Sequence, residues 1–263
     1  MSQKGKSVGG TQSASPPLTM SSITGKLVLS MIRGSDYAHA GEAEAIDLVL
    51  GPLALTPQTR LLDVGCGIGG TARYVQEKGW GRVTGVDIDS DNIDAASSRH
   101  PGIDFVCSDA AQLAQCVTPA FDVIYSFNAF FLFSDQLAAL RAMREVAAPG
   151  GALAIFDYVD RGGYTQVQSG RGVSTGLRKA LRLEAMPDLF AQAGWRVERV
   201  VSADADYLRW YEDLLSRITS MRDDIVAASS EAFFQYVLER YTYTRDDAKA
   251  GHLGGATLYA QTL

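Results

Sequence analysis

The stretch Arg60-Leu-Leu-Asp-Val-Gly-Cys-Gly-Ile-Gly-Gly70 decides the fold class. A short apolar run leads directly into a bend with four glycines, and a helix-forming segment, Thr71 to Lys78, follows at once. Leu61, Leu62 and Val64 suit a strand of a parallel sheet covered on both faces. Gly65, Gly67 and Gly69 admit positive φ and leave no Cβ between the backbone and a ligand. The next helix begins with unpaired N–H groups directed over that bend. Such an arrangement holds a nucleotide-like ligand at the carboxyl edge of a sheet.

Gly65-x-Gly67-x-x-Gly70 also fits the dinucleotide fingerprint, so the glycines alone leave the ligand open, and a glycine turn that binds nothing is the bland alternative. Asp63 shifts the balance. A carboxylate at the strand end, facing the bend, would repel a pyrophosphate and attract an ammonium or sulfonium. Strand, Asp63 and Gly-x-Gly-x-Gly together resemble the S-adenosylmethionine loop of class I methyltransferases. The resemblance implies S-adenosylmethionine as cofactor, held by Asp63, Gly65, Cys66, Gly67 and Gly69.

Neighbouring segments extend the pattern. Arg82-Val-Thr-Gly-Val-Asp-Ile-Asp89 reads as a second strand ending in Asp87, with a helix from Ser90. A carboxylate there can accept from both ribose hydroxyls, and Ile88 can lie against adenine. Ile103 to Cys107 reads as strand three, followed by Ser108-Asp109-Ala110, where Asp109 could accept from the adenine amino group. For Asp87 and Asp109 alike, the competing role is to cap the next helix. Phe121 to Asn128 is strand four, apolar enough to be buried on both faces. Its tip, Ser126-Phe127-Asn128, lies next to the glycine bend. Leu137, Leu140, Met143 and Val146 recur at helical spacing within Ser134 to Val146. Pro149-Gly150-Gly151 then stops that helix and turns into strand five, Ala152 to Tyr158.

The expected architecture is α/β: a Rossmann-like, doubly wound, seven-stranded sheet with its last strand antiparallel. A sixth strand, Trp195 to Ser202, and a last one, Ala256 to Thr262, complete it. The roughly fifty residues between them are too many for a structureless loop in a compact domain. Tyr207, Trp210, Tyr211, Leu214, Leu215, Ile218 and then Phe233, Phe234, Val237, Leu238, Tyr241 recur at helical spacing, predicting an inserted helical cap over about 204–253. Residues 1–20, rich in Ser, Gly, Thr and Pro, read as a flexible leader without the apolar run of a secretion signal, and 21–263 as the domain.

Composition bounds the partners. The chain has 263 residues, 46% hydrophobic and 21% charged, with a formal net charge of −6. That charge argues against nucleic acid as the main partner, since phosphate binding needs clustered cations. Arg161, Arg171, Arg178, Lys179 and Arg182 fall close together, and a solvated loop and helix face is the favoured reading of them. Three cysteines, Cys66, Cys107 and Cys116, imply no disulfide framework and suit a reducing cytoplasm. No apolar run is long enough to span a membrane. A monomer or homodimer acting on a small molecule is expected.

"LLDVGCGIGGTARYV", the cap and the close "GHLGGATLYAQ" widen the resemblance to small-molecule methyltransferases, a group that includes glycine, sarcosine and phosphoethanolamine N-methyltransferases and sterol and tocopherol C-methyltransferases. It covers residues 41–158 well and the rest in outline. It implies methyl transfer to a small acceptor, an amine nitrogen first, with oxygen or carbon next. A binder without turnover, acting as a partner or regulator, is the alternative of another class. Many relatives carry a histidine shortly after strand four, where this chain has Phe133. No Asp/Asn-Pro-Pro-Tyr motif follows strand four, and the Asp…Asp-Asn pattern of magnesium-dependent enzymes is not apparent, so no metal is expected.

An N-terminal segment often folds over the cofactor in such enzymes, and Tyr37 and His39 are its residues with useful chemistry. His39 is the candidate base, neutral near pH 7, with a structural histidine as the competing reading. His100, before a Pro-Gly turn, is expected to be exposed; His252 lies before the last strand. Phe131, Tyr158, Tyr207, Trp210 and Tyr211 are the candidate acceptor wall. The glycine-rich segment from Tyr158 to Gly176 follows strand five at the active edge.

Overall fold

A computed structural model describes residues 19–20, 22–164 and 179–263. The leader reading of residues 1–18, and Arg171 and Arg178 of the basic group, therefore lie outside the described residues, as does most of the segment after Tyr158.

Seven strands form one sheet in the order β3-β2-β1-β4-β5-β7-β6. They are β1 (Arg60–Val64), β2 (Arg82–Asp87), β3 (Asp104–Cys107), β4 (Phe121–Phe127), β5 (Ala147–Asp160), β6 (Trp195–Ser202) and β7 (Leu253–Thr262). Pairings from β3 through β5 are parallel, and β7 runs antiparallel to both β5 and β6. The expected fold class is the observed one. All of Leu61, Leu62, Asp63 and Val64 are at most 1% exposed, so β1 is covered on both faces, as an unbroken apolar strand requires.

The helices are α1 (Ile23–Arg33), α2 (Glu42–Leu50), α3 (Gly70–Glu77), α4 (Ser90–Arg99), α5 (Leu113–Cys116), α6 (Gln136–Val146) and α7 (Met186–Gln192). After β6 come α8 (Asp204–Ser220), α9 (Arg222–Ala228) and α10 (Glu231–Lys249), which together fill the long interval before β7. α8 packs on α10 and on β7, and α1 packs on α8. Ser22, Asp89, Asp135 and Ser230 cap α1, α4, α6 and α10 by accepting from first-turn N–H groups.

Boundaries differ from the reading of the sequence at β7, which begins at Leu253 rather than Ala256, and most of all at β5. β5 pairs with β4 at Ala147, before Pro149-Gly150-Gly151, and the register then shifts between Phe121 and Val123. The Pro-Gly-Gly unit is thus an irregularity inside the strand, where the proline can sit because the ladder is interrupted there. The remaining described basic residues are surface groups: Arg161 pairs with Asp204 at 2.9 Å and Arg182 with Glu184 at 2.8 Å.

Among the described residues no helix is long and apolar enough to cross a membrane.

Candidate active site

The carboxyl ends of β1, β2 and β4 open into a cleft of two joined compartments. Lys26, Gly65, Asp87, Ala129 and Leu132 border both. The first, about 310 Å³, is further lined by Ile88, Asn92, Asp109, Ala110 and Phe133. The second, about 370 Å³, lies under α10 and is lined by Gly67, Phe127, Asn128, Phe131, Tyr158, Tyr236, Arg240, Tyr241 and Thr244. Thr19 and Met20 also reach this second wall, although both fall in the span read as leader.

The glycine bend makes the junction. Gly65 has φ +83°, and a Cβ there would meet the Cβ of Ala129 at 2.4 Å. Gly67 has φ +55°, with open space where its Cβ would stand. Both conformations belong to the left-handed region that glycine adopts without strain. The Gly67 N–H donates to Asp87 Oδ2 at 2.9 Å, while Asp87 Oδ1 accepts from Asp89 N at 3.0 Å and Asn92 Nδ2 at 2.9 Å. The strand-two carboxylate is therefore fixed in place before any ligand arrives, with lone pairs left for the cleft. Ile88, 69% exposed, offers an apolar face at the rim. Asp109 both lines the cleft and caps its own turn, its Oδ1 accepting from Ala111 N at 2.9 Å, so the two roles read for it coexist. A glycine cradle, a held carboxylate, an exposed aliphatic face and a second acidic edge fit an adenosyl group.

Nine of the residues singled out from the sequence border the cleft: Gly65, Gly67, Asp87, Ile88, Asp109, Ala110, Asn128, Phe131 and Tyr158. The others lie behind it. Asp63 is 1% exposed, and its carboxyl is pushed up to about 8 by burial and then by the charge of Asp87. Near pH 7 it is mostly protonated, so it does not supply the negative charge expected to attract a sulfonium. Cys66 is buried, with its thiol raised by burial. Gly69 packs against Phe105 and His100. Ser126 is fully buried.

His39 does not fit the part of a base. It is 2% exposed and borders neither compartment. Nδ1 lies 3.0 Å from Ala40 O, and Nε2 lies 3.0 Å from Thr71 Oγ1. A carbonyl can only accept, so Nδ1 carries the proton and Nε2 accepts from the threonine hydroxyl. Burial lowers the ring to about 4, which keeps it neutral with neither nitrogen open. The residue pins the N-terminal segment to the start of α3. Tyr37, also buried, packs on His39 and Tyr74 instead of facing the cleft. His100 is likewise not exposed: it is 7% accessible, and its Nε2 lies 3.1 Å from Asp36.

The candidate wall residues of α8 stand one layer back. Tyr207 OH accepts from Asn128 Nδ2 at 2.7 Å, and the Tyr211 hydroxyl bonds that of Tyr158. The Trp210 indole N–H donates to Glu44 Oε2 at 2.9 Å. They hold the wall rather than form it. Its actual surface on the cap comes from α10, where Tyr236, Arg240 and Thr244 repeat every fourth residue. That spacing was the available signal for residues that sequence reasoning missed. Lys26 had no such signal, since only folding of α1 brings it to the junction, where burial lowers its ammonium. Asp157, fully buried at the end of β5, was also missed. Burial pushes it up to about 7, and its Oδ2 accepts from Phe131 N at 2.9 Å, anchoring the turn that lines both compartments.

Residues 62–155 match the family described as "Methyltransferase domain". Among curated relatives, the chain is 26% identical over 235 residues to "Phosphoethanolamine N-methyltransferase 1" of Zea mays, covering 87% of this chain and 46% of that protein. The namesake from Arabidopsis thaliana is 33% identical over 140 residues, covering 51% of this chain and 28% of its own length. The chain thus spans less than half the length of these two relatives. Among solved structures, Haemonchus contortus phosphoethanolamine N-methyltransferase 2, in complex with phosphomonomethylethanolamine and S-adenosylhomocysteine, superposes with a TM-score of 0.78 at 17% identity. It covers 91% of this chain and 57% of that one.

Proposed function

We propose that the chain transfers a methyl group from S-adenosylmethionine to a small-molecule amine, a reading supported by the match of residues 62–155 to a methyltransferase domain. The reading rests on one observation: a glycine-lined compartment bordered by Asp87 and Ile88 opens at Gly65 into a second, aromatic one.

When bound, S-adenosylmethionine supplies a methyl group on a sulfonium with a good leaving group already in place. The residues of the chain then have to bind, align and exclude water. Asp87 would take the ribose hydroxyls, Ile88 and Ala110 would flank the base, and Asp109 would meet its edge. Phe127, Phe131, Tyr158 and Tyr241 would form a dry wall around the nucleophile. Alignment of this kind contributes on the order of 7–11 kcal/mol when the geometry is a near-attack one.

The preference for an amine follows from what lines the second compartment. Among the described residues there, no histidine is present, and the one carboxylate, Asp87, is already bonded to the glycine bend. Burial raises the Tyr158 phenol, so it stays protonated at neutral pH and does not serve as a base. An amine that arrives unprotonated needs no base, whereas a phenol or alcohol does, and a carbon acceptor needs a carbanion or a stabilised cation. Incubation with methyl-labelled cofactor and a panel of amines, alcohols and phenols tests this. Labelled N-methyl product is the expected result. Tight product-nucleoside binding with no transfer to any class would leave a non-catalytic binder instead.

A further inference from the structure

An aliphatic amine titrates near the ordinary lysine value, so near neutral pH it meets the protein mostly as an ammonium, whose nitrogen has no lone pair for attack. One proton has to leave before a methyl group can be accepted. The acids of the second compartment offer little help. Among its described lining residues, Asp87 already accepts from Gly67, Asp89 and Asn92, and the Tyr158 phenol keeps its own proton. Arg240 cannot give up its proton and so cannot take one. One nitrogen remains. Lys26, on the face of α1 that also carries Leu29, is half-buried and borders both compartments where they join.

Among the described residues no hydrogen bond or ion pair holds the Lys26 ammonium, whereas Lys78, on the surface, meets Asp47 at 3.2 Å. Burial lowers Lys26, outweighing the pull of Asp87 and Asp89 at the end of β2 and of Cys66 in the bend. Across the cleft stand Asp109 and, on α10, the Arg240 guanidinium with the phenols of Tyr236 and Tyr241. The junction is also where the sulfonium of a bound cofactor has to face the acceptor. A second positive charge there presses Lys26 further toward its neutral form. Passing a proton from an ammonium to a lysine relocates one positive charge and creates none. Taking it from a phenol or alcohol would create an anion in a desolvated cleft, so the pairing suits an amine.

We propose that Lys26 is the general base of the reaction, its neutral Nζ taking one proton from the acceptor ammonium at the junction. The nitrogen lone pair so freed attacks the methyl carbon. A C–N bond forms as the C–S bond breaks, and the bonding pair stays on sulfur as a neutral thioether. The methylated nitrogen leaves as an ammonium, and Lys26 returns its proton to solvent. This rests on the amine-methylation reading above and adds the group that readies the nucleophile.

Calorimetry on the full chain at mildly alkaline pH, run in two buffers of different ionisation enthalpy, counts the protons released on binding. S-adenosylmethionine should release a larger fraction of a proton than S-adenosylhomocysteine, which lacks the positive sulfur, and Lys26→Met should erase the difference. In the transfer assay, with the amine that takes up label, kcat should fall about 100-fold or more in Lys26→Met. It should fall as far in Lys26→Arg, which keeps the charge but cannot be deprotonated, while both variants still bind S-adenosylhomocysteine. Equal proton counts for the two ligands, a difference that survives Lys26→Met, or normal turnover in Lys26→Arg overturns the proposal. The two readings fail apart. Amine methylation that persists in Lys26→Arg sinks the base alone. A Lys26-dependent proton difference without transfer to any amine sinks the amine reading and leaves Lys26 as the titrating group of the junction.

Discussion

The compartment over β1 and β2 is shaped by backbone, whereas the one under α10 is shaped by side chains. In the first, a bend with glycines at positive φ, a carboxylate tied to that bend and a strand-end aliphatic side chain define the space. All three lie within a few residues of a strand end, so local sequence dictates them. In the second, α1, the tips of β4 and β5 and the face of α10 meet, and the surface exists only once distant segments have packed. Backbone near one strand end thus defines the first space, while side chains brought together from distant segments define the second.

The sharpest way to break the comparison is to give the backbone compartment a side chain. Gly65→Val should lower affinity for S-adenosylhomocysteine by more than about 100-fold in calorimetry. The added Cβ meets Ala129 at 2.4 Å and the left-handed φ disfavours a branched residue. Retained affinity would show that the bend does not touch the cofactor. Asp87→Ala comes next, weakening the same binding by about 1.5–3 kcal/mol, the scale of hydrogen bonds to a charged group. An unchanged titration would remove Asp87 from the ribose.

The third test concerns a carboxyl that only looks like part of the bend. Asp63 is raised from 3.8 to about 8 in the folded chain, so the unfolded chain releases its proton first as pH rises. Its contribution to stability is fully present below pH 3.8 and is lost as pH climbs toward 8. Asp63→Asn has no such loss. Its stability relative to wild type should therefore rise with pH across that window, with a slope of at most about 1.4 kcal/mol per pH unit. Paired denaturant titrations at several pH values measure it, and a pH-independent difference would place a carboxylate, not a carboxylic acid, under the bend. The smallest effect on turnover belongs to His39→Ala. It should lose about 1–3 kcal/mol of stability with its two hydrogen bonds, while kcat stays within about twofold.

These contrasts also explain which features were legible in the sequence. The strands, the glycine bend, Asp87 and Asp109 are local patterns, and the structure puts the bend and both carboxylates on the cleft at the carboxyl edge of the sheet. Asp63 misled because sequence shows that a carboxyl is near a bend, not how deeply the sheet buries it. His39 misled because chemistry useful for catalysis is equally useful for two structural hydrogen bonds. Tyr207 and Tyr211 were on the right helix but a layer too deep, since the facing of α8 against α10 follows from tertiary packing. Lys26 and Asp157 had no local signature at all.

Asn128 draws the two covers of the cleft together. Its backbone N–H donates to Phe156, its side-chain oxygen accepts from Ala40 N at 3.2 Å, and its amide donates to Tyr207 at 2.7 Å, all from a φ of +47°. A single amide thus latches the N-terminal arm on one side and the cap on the other. Moving either one away breaks one of these hydrogen bonds, at roughly 0.5–1.5 kcal/mol, so the same side chain stabilises both covers in place.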